Sequence, residues 1–162
     1  MKRGEKGILA IIVVSALIIG GRNLIVSETN QEPDKGIPYY STASAELAHD
    51  AMVIYQQNDC KDCHSLWTVR DMLQSVPAPI LDGMGSLHDE EWFYQYFSAP
   101  DPQAIIHSRL KKKYRMPSYA RLPEHERRIL ASYMASLKVQ DWYLQETRKA
   151  EYEKLTGKDY RP

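Results

Sequence analysis

Cysteine is scarce in this chain: two in 162 residues, placed three apart. That scarcity excludes a disulfide-built scaffold, since a bridge between residues so close would shut almost no loop and add little stability. It also argues against a structural zinc site, which takes four Cys or His ligands, usually as two paired half-sites. No second cysteine pair exists, and His49, His88, His107 and His125 show no ligand-like pairing with one another. Net charge is lacking too. The 21 basic and 21 acidic side chains cancel, which argues against nucleic acid as a partner. Long apolar runs are absent beyond residue 26, and a mean hydropathy of −0.50 marks the bulk of the chain as soluble.

What is present is concentrated in one pentapeptide. Cys60-Lys61-Asp62-Cys63-His64 spends both cysteines on a C-x-x-C-H run. At that spacing two thiols add across the vinyl groups of a haem while the adjacent imidazole is held against the iron from one side. A thioredoxin-type redox pair would stand at the end of a strand in a βαβ pattern, and the flanking sequence reads as helix and loop instead. The motif predicts one haem c, covalent through Cys60 and Cys63, with His64 as an iron ligand.

The apolar run Ile8 to Val26 follows a start that is basic on balance, Met1-Lys2-Arg3-Gly4-Glu5-Lys6. At about 1.5 Å per residue it reaches about 28 Å, close to the ~30 Å of a hydrocarbon core, with Arg22 snorkelling at the far edge. A cleaved signal peptide shares this pattern. The lack of a small-x-small cleavage site and the continuation Leu24-Ile25-Val26 favour an uncleaved anchor. The expectation is a cytoplasmic segment over residues 1–6, a transmembrane helix over 7–26 in the cytoplasmic membrane, and everything after it on the periplasmic, outer side. Residues 27–43 are polar and turn-rich, notably Glu32-Pro33-Asp34-Lys35-Gly36-Ile37-Pro38, and read as a linker.

The folded domain is expected from Ser44. Leu47, Ala51, Ile54 and Tyr55 recur on one helical face, with Ser44 as N-cap and Glu46 in the first turn, and this helix delivers the chain to Cys60. Here Ala51-x-x-x-Tyr55-x-x-x-x-Cys60-x-x-Cys63-His64 resembles the opening of the class I cytochromes c. Pro79-Ile80-Leu81-Asp82-Gly83 is similar to that family's Pro-x-Leu-x-Gly turn, and Trp92 to Phe97 followed by Pro100 to its short middle helix. Arg115-Met116-Pro117-Ser118-Tyr119 resembles the axial Met-Pro loop, and Leu122 through Leu137 the closing helix.

The resemblance spans residues 44–138. It implies an all-α class I cytochrome c fold around one covalently bound haem, here with a single N-terminal transmembrane helix before it and a helical extension over 139–162 after it. It also implies that the carbonyl of Pro79 accepts the hydrogen bond of the axial histidine's free ring nitrogen, although Pro77 stands two residues earlier and leaves that assignment open to a slip. Covalent haem attachment in this family occurs on the outer side of the membrane, in agreement with the expected topology.

His64 is fixed beside its thioether bonds, so a sixth ligand must come from a distant loop. Met116 is the first candidate, because Pro117 restrains it toward an extended conformation. Met84, between Gly83 and Gly85, and His107 are competitors, the latter giving a bis-histidine site of lower potential. Met52, Met72 and Met134 read as core filler, and His49, His88 and His125 as solvated histidines. Trp67, Trp92, Tyr96, Phe97, Tyr119 and Tyr133 read either as haem-pocket wall or as ordinary core.

Charge is partitioned along the chain. Residues 44–102 carry ten acidic and two basic side chains, residues 103–128 eight basic and two acidic. Lys111-Lys112-Lys113-Tyr114-Arg115 directly precedes Met116, which reads as a basic rim that steers an acidic redox partner, or as an ordinary solvated loop. After Leu137 a polar helical pattern runs to Gly157, a candidate C-cap; its apolar face is thin, so it either packs on the domain or docks to another subunit. The expected function is one-electron transfer between respiratory redox partners by a membrane-anchored, non-enzymatic carrier. The alternative is a fixed subunit of a quinol oxidoreductase, haem-copper oxidase or nitric oxide reductase. A gas sensor or peroxidase would need an open sixth position.

Overall fold

The computed structural model describes residues 11–21, 35–67, 76 and 78–161. The chain divides into two compact units, residues 1–37 and residues 38–162. In the first, residues 11–21 lie in a helix, α1. At about 1.5 Å per residue these cover about 16 Å, roughly half of a ~30 Å hydrocarbon core. Among the described residues no helix is long and apolar enough to cross a membrane. The expected fold, with a transmembrane helix over 7–26, is corrected on this point, and the remainder of that span lies outside the described residues.

The second unit is mostly helical but not all-α, a second correction. Strand β1 (Tyr39–Ser41) pairs antiparallel with β2 (Leu137–Val139), Tyr39 opposite Val139 and Ser41 opposite Leu137. Leu137 and Val139 are buried and Lys138 between them is half-buried, the period-two pattern of a strand with one covered face. Thr42 N–H donates to the Ser136 carbonyl at 3.0 Å, and the Ser41 and Ser136 hydroxyls meet at 3.1 Å. Three residues read from sequence as linker, and the last residue of the presumed closing helix, are thereby drawn into a two-stranded ribbon.

Between the strands lie α2 (Ala45–Gln57), α3 (Glu90–Ser98) and α4 (Glu124–Ser136), and beyond β2 lies α5 (Leu144–Thr156). Ser44 caps α2 by accepting from Leu47 N–H at 3.1 Å, and Asp89 caps α3 by accepting from Trp92 N–H at 2.8 Å. Helix α4 packs against both α2 and α3. Helices α2, α3 and α4 each bury an i, i+3, i+4 stripe: Ala51, Ile54 and Tyr55 on α2, Phe93, Tyr96 and Phe97 on α3, and Leu130, Ala131, Tyr133 and Met134 on α4. Ala51 and Ala131 are both fully buried at 0% exposure, small residues that let backbones approach closely. Burying Ile54, Leu130 and Leu137 stabilises the unit by about 1.5–3 kcal/mol each. At Gly85 a Cβ would overlap the Ala135 carbonyl, so the turn Met84–Ser86 sits directly on the α4 backbone only because this residue lacks a side chain.

Candidate functional site

Helix α2 ends abruptly before the C-x-x-C-H run. Asn58 Nδ2 donates to the Ile54 carbonyl at 2.9 Å, and Asp59 takes a left-handed conformation (φ 55°), which Asp tolerates better than most residues. The chain then turns through the single 3-10 turn Cys60–Asp62, with Cys63 N–H and His64 N–H both donating to the Cys60 carbonyl. This winding presents Cys60, Cys63 and His64 together to one cavity.

The cavity holds about 1280 Å3 of atom-free space, its open mouth included, and its wall is overwhelmingly apolar. His64 is half-buried in the wall. Its Nδ1 lies 2.8 Å from the Pro79 carbonyl oxygen. A carbonyl only accepts, so Nδ1 carries the proton and Nε2 keeps the lone pair, available to a ligand in the cavity. Burial pushes the His64 imidazole below its ordinary range, with the Pro79 bond acting the other way, so the neutral ring is favoured. Tyr55 Oη donates to the His64 carbonyl at 3.1 Å, and Leu81 N–H to the Ser65 carbonyl at 3.0 Å, fixing the loop on either side of the imidazole.

Burial raises the Cys60 thiol above its ordinary range, with the Tyr119 hydroxyl as a lowering influence; burial and then the neighbouring Asp62 carboxylate raise Cys63. Both are free thiols. A thioredoxin-type nucleophile needs the opposite displacement. Among the described residues no group of three or more His, Cys, Asp and Glu side chains is arranged to hold a metal ion.

Met116 lines the same cavity. Its loop is tied down on both sides: Arg115 Nε donates to the Leu110 carbonyl at 2.7 Å, and Ser118 Oγ to the Ala99 carbonyl at 2.7 Å, just past the end of α3. Met84, the rival sulfur, is buried and also lines the cavity. His107 lines instead an adjoining, more open groove, shared with Cys63, Met116, Lys112, Lys113 and Arg115.

No family model, curated protein or solved structure matches this chain. All five residues singled out in the sequence, Cys60, Cys63, His64, Pro79 and Met116, face this one cavity. Of the aromatic residues, Trp92, Tyr96, Phe97 and Tyr119 line it; Trp67 and Tyr133 do not, and bond to each other at 3.2 Å. His49 and His125 are exposed, but His88 is not the solvated histidine that was expected: Nε2 sits 2.6 Å from Glu151 Oε1 and the ring stacks on Trp92. Glu151 and Leu155, from the polar C-terminal helix, complete the wall. The polar helical pattern that carries them is visible in sequence; that they face this cavity is not.

Proposed function

We propose that this chain is a monohaem cytochrome c that passes single electrons between redox protein partners. One observation carries the reading: three stretches of chain, at 60–64, at Pro79 and at Met116, meet around a single apolar cavity. The donor set fits a haem c. Two half-buried thiols three residues apart, both pushed toward the protonated form by burial, match the addition of S–H across two vinyl groups, and an imidazole tied to one tautomer presents Nε2. Met116 offers a thioether from a separate, anchored loop.

When bound, the haem supplies an iron that alternates between ferrous and ferric states. The chain's own residues do the rest. Cys60 and Cys63 hold the group, and Pro79 orients His64. Met116 favours the reduced state, because thioether sulfur stabilises ferrous iron. Trp92, Tyr96, Phe97 and Tyr119 keep water out, which also bears on the potential. No bond in any partner is made or broken, so the reading calls for no catalytic residue. It carries with it an extracytoplasmic location, the side on which c-type haem is attached in the class I family.

Lys111, Lys112 and Lys113 are exposed, and the latter two border the groove that reaches Cys63 and Met116. A positive rim at that point suits an acidic partner surface and a fast, salt-sensitive encounter.

The test is the intact mass of the purified protein together with its visible spectrum. The expected result is a gain of one haem, a pigment that acidified acetone does not extract, and a weak far-red sulfur-to-iron band that Met116→Ala abolishes. Survival of that band in Met116→Ala would move the ligand to Met84; a colourless chain would overturn the reading.

A further inference from the structure

Helix α5 belongs to the segment beyond the resemblance, yet it lends Glu151 and Leu155 to the cavity wall. Its own face is too polar to hold it there by burial alone; fixed polar contacts do so instead. Glu151 Oε1 meets His88 Nε2 at 2.6 Å, and the His88 ring lies flat on Trp92, centroids 3.8 Å apart and planes 17° apart. Trp92 stacks in turn on Tyr96. His88, Trp92 and Tyr96 all line the cavity. Less than a turn beyond Glu151, Arg109 Nε donates to the Lys154 carbonyl at 3.4 Å, and its guanidinium lies 3.0 Å from where a Cβ on Gly157 would stand. Thr147, in the second turn, is buried with its methyl 3.4 Å from the position of a Cβ on Gly83.

We infer that α5 is a strap across the cofactor cavity, closed by the His88–Glu151 contact as a clasp, and that Leu155 and the clasp set the reduction potential and ligand access by keeping water from that side. This rests on the haem reading above. A wall of low polarity disfavours the more highly charged ferric state; opening it hydrates the iron site, lowers the potential and admits external ligands. A helix that merely braced the fold would change stability and leave both quantities alone.

The experiment uses the full chain carrying its covalent haem, with the potential and the rate of cyanide binding to the ferric form as readouts. Leu155→Asn alters no charge; its potential is expected to fall and its cyanide rate to rise about tenfold. His88→Ala and Glu151→Ala are each expected to raise the cyanide rate, and the double variant to raise it no further than either, as befits two halves of one clasp. A protein that keeps its covalent colour while Leu155→Asn leaves potential and cyanide rate unmoved overturns the strap alone. A pigment extracted by acidified acetone overturns the haem reading, and the strap with it.

Discussion

Cys60 and Cys63 face an apolar cavity, and burial acts against the thiolate of both. A raised thiol pKa means less thiolate at any given pH, so in the haem-free chain both should react with iodoacetamide more slowly than free cysteine at about pH 8, the rate still climbing above about pH 9. Reaction that saturates below about pH 7 would reveal a thioredoxin-like pair instead. Tyr55 is the other informative single residue. Its hydroxyl holds the His64 carbonyl, so Tyr55→Phe should cost about 1 kcal/mol in chemical denaturation. Residues of this kind differ in how far sequence reveals them. The C-x-x-C-H residues are legible because the pattern needs only a five-residue spacing. His88 is not, because the carboxylate that makes it more than a solvated side chain stands 63 residues away.

At the scale of elements, the helices follow from local signals: Ser44 and Asp89 as caps, three-and-four spacing of apolar residues, and Gly157 closing α5 in a left-handed conformation. The β1–β2 ribbon gives no such signal. Each strand has three residues, and what makes them strands is a partner nearly the whole domain away. The contact between the Met84–Ser86 turn and α4 is equally silent in sequence, being a matter of how close two backbones come. Gly85→Ala should push them apart and lower stability by about 1–3 kcal/mol, readable as a fall in denaturation midpoint with an unchanged m-value. Ser118→Ala removes the bond between the Met116 loop and the end of α3; on the haem reading proposed above, exogenous imidazole should then displace the Met116 thioether at lower concentration. An unchanged imidazole titration would show that the loop is held by other means.

For the whole molecule, charge asymmetry is the property read most directly from sequence, and the structure keeps the lysines of residues 111–113 exposed beside the groove that reaches Cys63 and Met116. Replacing Lys112 and Lys113 by Glu should slow electron exchange with an acidic redox protein at low ionic strength, with the difference vanishing as salt is raised. Stopped-flow rates across a salt series would decide it, and a salt-independent rate would place the encounter elsewhere. The role of the last segment was hidden from sequence, which left α5 as either a domain-packed helix or a dock for another subunit; its side chains line the cavity of its own domain. The order of synthesis gives that placement a further meaning. A ribosome makes Cys60, Cys63, His64, Pro79 and Met116 before it makes Glu151 and Leu155. A nascent chain that has reached Val139 therefore owns every residue proposed to grip the porphyrin, while the flank of the pocket that Glu151 and Leu155 line is still to be built, like a room furnished before its last wall goes up.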